Sequence, residues 1–337
     1  MEEERLLTQI SVDLVPLSEA LNEFLSGGKR LRPAFCYWGW RGAGGDANDP
    51  ALDEAAIRAA ASLEFLQACA LIHDDVMDSS DTRRGRPAVH HRFASLHRGS
   101  EWLGSPDTFG IGAAILLGDL CLSWADQALL TSGMPADALR RAKVVYDEMR
   151  TELMAGQYLD LLEQARGGGS IDRALRVVQY KSAKYTIERP LHIGAALAGA
   201  SPELTDAYTA YGLPLGEAFQ MRDDVLGVFG DPKETGKPAG DDLREGKRTV
   251  LIATALDRAT KTQATVVRTH LGDPDLDAAG LEALRSVICD TGALAFVEQQ
   301  IQTRLDDALA AAASPLIESV AQRILTALAH AATSRSV

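Results

Sequence analysis

The sequence predicts an all-α fold in a single domain. Apolar residues recur at three- and four-residue spacing nearly from end to end. Alanine and leucine dominate these stretches, while alternating β-branched runs are almost absent. Clusters of Gly, Pro, Asp and Ser break the pattern at intervals.

The periodic segments are 5–26, 51–78, 110–131, 135–165, 171–200, 202–229, 248–260 and 277–332. Between them lie "SGGKRLRP", "GAGGDANDP", "HRGSEWLGSPDTFG", "TSGMPAD", "RGGGSID", "GDPKETGKPAGDD" and "HLGDPDLD". Asp49 with Pro50, Ser170, and Ser201 with Pro202 suit the caps of the helices that follow. There is no repeat of fixed period, no low-complexity tail and no linker long enough to divide two domains, so residues 1–337 read as one domain.

With 34 Lys+Arg against 47 Asp+Glu the net charge is −13, which disfavours nucleic acid as a partner. An anionic substrate would need a local basic patch or a metal ion. Cys36, Cys69, Cys121 and Cys289 are scattered without CxxC spacing, which suits reduced thiols in the cytoplasm rather than a disulfide frame or a zinc site. The acidic start "MEEERLLTQI" is neither a signal nor a transit peptide. No uninterrupted apolar run reaches the ~18–20 residues of a membrane span, so a soluble protein without a transmembrane segment is expected.

Chemistry concentrates in "LIHDDVMDSSDTRRG", residues 71–85. On a helix Asp74 and Asp78 are neighbours on one face, with Asp75 beside them. Alone, such a trio is either a solvated helix end or a cation site. A second apolar helix repeats the design in "FQMRDDVLGVFGD", 219–231, with Asp223 and Asp224 and with Gln220 one turn earlier. Two acid pairs converging on one cleft suit Mg²⁺, which takes a few carboxylates and completes its octahedron with water and phosphate oxygens. Arg83 and Arg84, about two turns past the first acids, are then placed to grip diphosphate oxygens with their guanidinium forks. "GGKRLRP", 27–33, brings Lys29, Arg30 and Arg32 on a glycine-flexible lead into a helix; by itself it is either a solvated turn or a second anion site, and it lacks P-loop spacing. Lys181, Lys237 and Lys247 are isolated cations.

"GGKRLRP", "LIHDDVMDSSDTRRGRP", "KSAKYT" and "FQMRDDVLGVFGDPKETGKPAGDDLREGKRT", in this order and spacing, resemble the trans-isoprenyl diphosphate synthases, or polyprenyl synthetases, over about residues 20–260. The resemblance implies a helical bundle around a deep central cavity, usually a homodimer. It implies that Asp74, Asp75 and Asp78 with Asp223 and Asp224 bind a cluster of Mg²⁺ ions, three of them, on an allylic diphosphate. Arg83, Lys181, Gln220, Lys237 and Lys247 match positions contacting that diphosphate. Lys29, Arg32 and Arg84 match the site for isopentenyl diphosphate, with Gln67 contacting the same ligand, and Ser182 stands where Thr is usual, near the developing cation. The implied reaction condenses isopentenyl diphosphate with an allylic diphosphate (dimethylallyl, geranyl or farnesyl), by ionisation, C–C bond formation and proton loss. No side-chain nucleophile is needed, and His73, which abuts the acids, reads as a support for them or as packing. One departure is Gly227, where the second motif usually carries its last acid; Asp231, Asp241 or Asp242 can assist there through water.

The helix below the first motif forms, in that family, a wall of the tunnel for the growing chain. At ~1.5 Å per residue Cys69 lies roughly 7–8 Å and Leu66 roughly 12 Å below Asp74. Cys69 and Ala70 are small where short-product relatives carry an aromatic, so the tunnel is expected to pass C15, with Leu66 or Phe65 or side chains of 110–131 and 149–162 as the floor. The favoured product is C20, geranylgeranyl diphosphate, over C25 or longer. A class I terpene cyclase is disfavoured by the Asp223–Asp224 motif and the "GGKRLRP" patch. A non-catalytic partner subunit would be expected to lose acids or lysines, and only Gly227 departs.

Overall fold

The computed structural model describes residues 2–231 and 240–334, with side chains from residue 5 onward. Helix accounts for 79% of it, and among the described residues the strands amount to one two-residue hairpin. The all-α expectation is met. The chain divides into two compact units, Met1–Arg30 with Ala61–Thr131, and Leu31–Ala60 with Ser132–Val337.

The first unit holds α1 (Glu2–Ile10), a 3₁₀ turn (Val12–Leu14), α2 (Val15–Leu25), the C-terminal part of α4 (Pro50–Met77), β1 (Thr82–Arg83), β2 (Arg86–Pro87), α5 (Val89–Gly99) and α6 (Pro106–Leu130). Segment 5–26 is thus two helices rather than one. Ser11 accepts from Asp13 N at 3.2 Å and caps the 3₁₀ turn, and Pro16, which has no N–H to give, suits the opening of the next helix. Helix α5 lies outside the predicted segments: its buried face, Val89, His90, Phe93, Ala94 and His97, includes two histidines, which thin the apolar stripe. Leu21, Ile72, Phe93, Leu117 and Cys121 form the core of this unit.

The second unit holds α3 (Leu31–Gly42), the N-terminal part of α4, α7 (Ala136–Arg166), α8 (Ile171–Val177), a π-helical segment (Val178–Glu188), α9 (Arg189–Ala198), α10 (Pro202–Phe229), α11 (Asp241–Arg244), α12 (Val250–Arg258), α13 (Lys261–His270), α14 (Ala278–Asp290), α15 (Ala293–Ala312) and α16 (Ser319–Thr333). The predicted caps form: Asp49 accepts from Ala51 N at 3.0 Å, Ser170 from Arg173 N and Ser201 from Leu204 N, both at 3.4 Å. The run 277–332 is three helices. Gly292, at φ 70°, breaks the first from the second, and the stretch around Pro315 separates the last. A further helix, α13, follows α12 behind a capping box of Thr260 and Gln263. Its cores centre on Met221, Val225, Leu251 and Ile288, and on Phe35, Leu191, Tyr211 and Leu215.

Segment 171–200 is interrupted by eleven residues of π-helix. Pro190 cannot donate one turn back, which relaxes the ordinary i−4 ladder there. Glycines on the neighbours let the wider helix come close. A Cβ on Gly156 of α7 would overlap Lys181 N, and on Gly212 and Gly216 of α10 would lie 2.8 Å from Glu188 Cα and 2.5 Å from Ala183 Cα.

Among the described residues, two helices, α4 and α6, are long and apolar enough to cross a membrane by length and composition, a test that the core helix of a soluble protein also passes. Interspersed Gly, Ala, Ser and Asp hide such helices from a run count. The apolar window of α4 is 56% buried within the fold, that of α6 only 33%; Phe109, Ile111, Ile115, Leu116 and Leu130 stand exposed on α6.

Candidate active site

In the first unit α4 ends on its acids. Asp75 is fully buried, while Asp74 and Asp78 are half-buried. The helix stops at Ser79, whose φ of 54° is left-handed, and Ser80 N donates to Asp75 O at 2.9 Å. The chain then turns back through the hairpin, with Arg83 opposite Arg86 and Arg84 and Gly85 both at positive φ in the two-residue turn. Arg83 and Arg84 therefore follow the acids on a hairpin, not on a continuing helix. The hairpin folds Arg83 onto the acids: Nε donates to Asp75 Oδ1 at 2.8 Å, Nη2 pairs with the same oxygen, and Nη2 reaches Asp74 Oδ2 at 3.5 Å. Two guanidinium nitrogens on one carboxylate oxygen stabilise a charge at zero exposure.

Arg84 points the other way. Its Nη1 donates to Phe24 O at 3.0 Å, its guanidinium lies 5.4 Å over the Phe24 ring, and a Cβ on Gly27 or Gly28 would come within 3.2 and 3.0 Å of its nitrogens. The glycines before Lys29 thus give Arg84 a bed, and the start of the basic patch, 27–30, meets the hairpin within one unit. Lys29 is exposed and Gln67 half-buried, two helical turns before Asp74. Arg30 pairs with Glu64 and Leu25 O, a structural role. His73 Nε2 lies 3.1 Å from Ile115 O and 3.8 Å from Asp119, and Nδ1 lies 3.8 Å from Cys69 Sγ.

In the second unit Gln220 Nε2 donates to Asp224 Oδ1 at 2.8 Å. Asp224 is buried and Asp223 exposed. Burial, with the charges of Asp242 and Asp223 added, pushes the Asp224 carboxyl up to about 8, against the pull of Gln220 and Lys247. Lys247 Nζ is 2.7 Å from Glu245 and 3.4 Å from Asp242. Lys181 Nζ is 2.6 Å from Asp160 Oδ2 of α7. Sequence reasoning passed over Asp160, a nearly buried acid; its signal is an acid set in the apolar stretch "MAGQYLDLL". Ser182 is half-buried beside Lys181. Arg32 stacks 4.3 Å over Tyr185 and donates to Thr186 Oγ1 at 2.8 Å. Lys237 lies outside the described residues.

Among the described residues, no group of three His, Cys, Asp or Glu side chains closes around a point able to hold an ion. A donor set of a few carboxylates suits Mg²⁺, which keeps waters and takes phosphate oxygens, rather than an all-protein cage. A buried acid held above its usual range, as Asp224 is, also gains from a cation beside it.

The polyprenyl synthetase family profile matches residues 15–288, most of the chain. The chain belongs to the polyprenyl synthetase family. It is an isoprenyl diphosphate synthase, a prenyltransferase. The synthase is 34% identical to a geranylfarnesyl diphosphate synthase of Aeropyrum pernix, over 83% of this chain and 81% of that one. It is 30% identical to the octaprenyl diphosphate synthase of Escherichia coli, over 98% and 93%. A crystal structure of geranylgeranyl pyrophosphate synthase from Corynebacterium glutamicum, complexed with isoprenyl diphosphate and magnesium, superposes with a TM-score of 0.95 at 43% identity, over 99% and 95% of the two chains. These relatives make products of different length, so membership fixes the reaction class of the synthase and not its chain length.

Proposed function

We propose that the synthase condenses isopentenyl diphosphate with dimethylallyl, geranyl or farnesyl diphosphate and releases geranylgeranyl diphosphate, C20. The observation that carries the reading is that each acid motif has a recognition group laid against it, Arg83 on Asp74 and Asp75, and Gln220 on Asp224. Residues 1–337 would form one synthase domain. Asp74, Asp75 and Asp78 with Asp223 and Asp224 would hold Mg²⁺, as a three-ion cluster on the allylic diphosphate. When bound, the metal neutralises the diphosphate and makes it a leaving group. Arg83, Lys181, Gln220, Lys237 and Lys247 grip that diphosphate as charge gathers on it. The allylic C–O bond breaks to a carbocation beside Ser182. Lys29, Arg32, Arg84 and Gln67 orient isopentenyl diphosphate, whose double bond attacks the cation. A proton then passes to the departing pyrophosphate and the new double bond forms.

The C20 assignment rests on small Cys69 and Ala70 below the first motif and on a broad obstacle deeper down. Phe65 meets Trp124 edge-on at 6.3 Å between ring centres, and Leu66 beside it is buried. A homodimer is supported by the apolar residues exposed along α6. Free Cys36, Cys69 and Cys121, all buried, support a reducing cytoplasmic setting. The test is elongation of C5, C10 and C15 primers with isopentenyl diphosphate and Mg²⁺, with products sized by mass spectrometry. A dominant C20 product supports the reading, C25 or longer moves the floor deeper, and no elongation with any primer refutes it.

A further inference from the structure

Helix α7 carries Glu148, Glu152, Gly156 and Asp160 four residues apart, so they form one stripe along its length. Their partners lie on the π-helical segment and the first turn of α9, and run in the opposite direction. Arg189 forks onto Glu152, Nε to Oε2 at 2.7 Å and Nη2 to Oε1 at 2.8 Å, and its Nη1 is 3.3 Å from Glu148. Lys184 Nζ bridges Glu152 and Glu188, each at 3.1 Å. Gly156 admits the main chain at Lys181, and Asp160 takes the Lys181 ammonium at 2.6 Å. Charged contacts thus stand one turn to either side of the glycine contact.

The side chains of Glu152, Lys184 and Arg189 are only 15–20% exposed. Burial raises the Glu152 carboxyl, but Arg189 and Lys184 outweigh it and keep the group below the ordinary carboxylate range. Ion pairs at such depth add little net stability, because desolvation offsets their attraction, and apolar side chains of similar volume often serve as well. They do specify an arrangement. A slip of the segment along α7 would part Glu152 from Arg189 and Lys181 from Asp160 while their charges stay buried. Helices of the π type are mostly single-turn bulges, frequently at functional sites, and this one runs for eleven residues.

We propose that Glu152 is a positioning residue: through Arg189 and Lys184 it sets the register of the π-helical segment on α7, and so holds Lys181 in place for the allylic diphosphate. The inference rests on the reading above that Lys181 grips that diphosphate.

The test replaces the fork by apolar side chains, Glu152→Met together with Arg189→Met, because Glu152→Gln alone leaves buried cations unanswered and can unfold the chain. Lys184 keeps Glu188 in the double variant. Its urea midpoint should stand at or above that of wild type, while kcat/KM for the allylic primer falls about tenfold, inside the ~100-fold that a 1 Å misplacement can cost. In a Lys181→Ala background the same exchange should cost nothing further, since the group it positions is gone. Glu217→Met with Arg304→Met, at a similarly buried pair 2.6 Å apart between α10 and α15, should leave kcat/KM at the wild-type value. Wild-type kcat/KM in the Glu152→Met/Arg189→Met variant overturns the inference, as does an equal loss with and without Lys181. A loss that comes with a lowered midpoint, or that the Glu217→Met/Arg304→Met variant shares, assigns the network to stability alone and also overturns it. Wild-type protein that elongates no primer instead sinks the proposed reaction, and this inference with it.

Discussion

Gly216→Ala tests whether the π-helical segment is held by backbone contact. In an open helix this substitution stabilises by about 1 kcal/mol, because glycine loses more backbone freedom on folding. Here the added Cβ would lie 2.5 Å from Ala183 Cα and 2.6 Å from Ala183 O, where ordinary contact begins at 3.4 Å. Both neighbours are main chain, so relief requires α10 and the segment to separate by about 0.9 Å, the difference between 3.4 and 2.5 Å. Overpacking of this kind costs about 1–3 kcal/mol. The net change is expected to be a destabilisation of up to about 2 kcal/mol, opposite in sign to propensity. The segment carries Lys181, whose Nζ is 2.6 Å from Asp160, so the same movement disturbs a group proposed to grip the diphosphate. Misplacement by about 1 Å can cost on the order of 100-fold in rate. Urea unfolding by circular dichroism and steady-state kinetics should show a lower midpoint and a kcat reduced at least tenfold, by the same reasoning, with KM for isopentenyl diphosphate little changed. A midpoint equal to or above wild type with unchanged kcat would refute the close packing.

Arg83→Ala strips the buried Asp75 of its guanidinium and should cost about 3 kcal/mol as well as activity, with Arg83→Lys recovering part of the stability but not the fork; equal unfolding midpoints for all three proteins would count against it. Burial holds His192, 3.0 Å from Thr209 Oγ1, down to about 4 from 6.5. Between those values the unfolded chain takes up a proton that the folded chain refuses, so stability should fall as pH drops from 6.5 toward 4, by about 3 kcal/mol in total at about 1.4 kcal/mol per pH unit. His192→Gln should flatten that slope in denaturant titrations across the window. Cys69→Phe should shorten the product toward C15, and an unchanged product places the floor elsewhere. Leu116→Glu, on the exposed face of α6, should lower the mass seen by light scattering to that of a monomer if α6 is the dimer face.

The acid motifs were legible because carboxylates at helical spacing are costly without a cation, and a local pattern suffices to state that. Their partners were less so. Nothing in "DTRRGRP" marks a hairpin as clearly as an Asn-Gly pair would, yet the turn is what folds Arg83 back onto Asp75 and sends Arg84 to the glycines before Lys29. Asp160 was missed because an acid within an apolar helix looks like a solvated interruption until Lys181 is seen against it, 21 residues on. Gly227 read as a lost acid, whereas Asp242 of α11 stands where its side chain would be.

By itself the sequence determined the all-α class, the main capping residues and the two acid motifs, since helical period, N-caps and like-charge spacing are properties of residues a turn or less apart. Tertiary structure decided what depends on distant chain: the split of 171–200 around a π-helical segment, the pairing of Lys181 with Asp160, and the seating of Asp242 over Gly227. These contacts exist because neighbouring helices press close enough that a missing Cβ or a buried charge must be answered by another element, and local periodicity carries no record of which one.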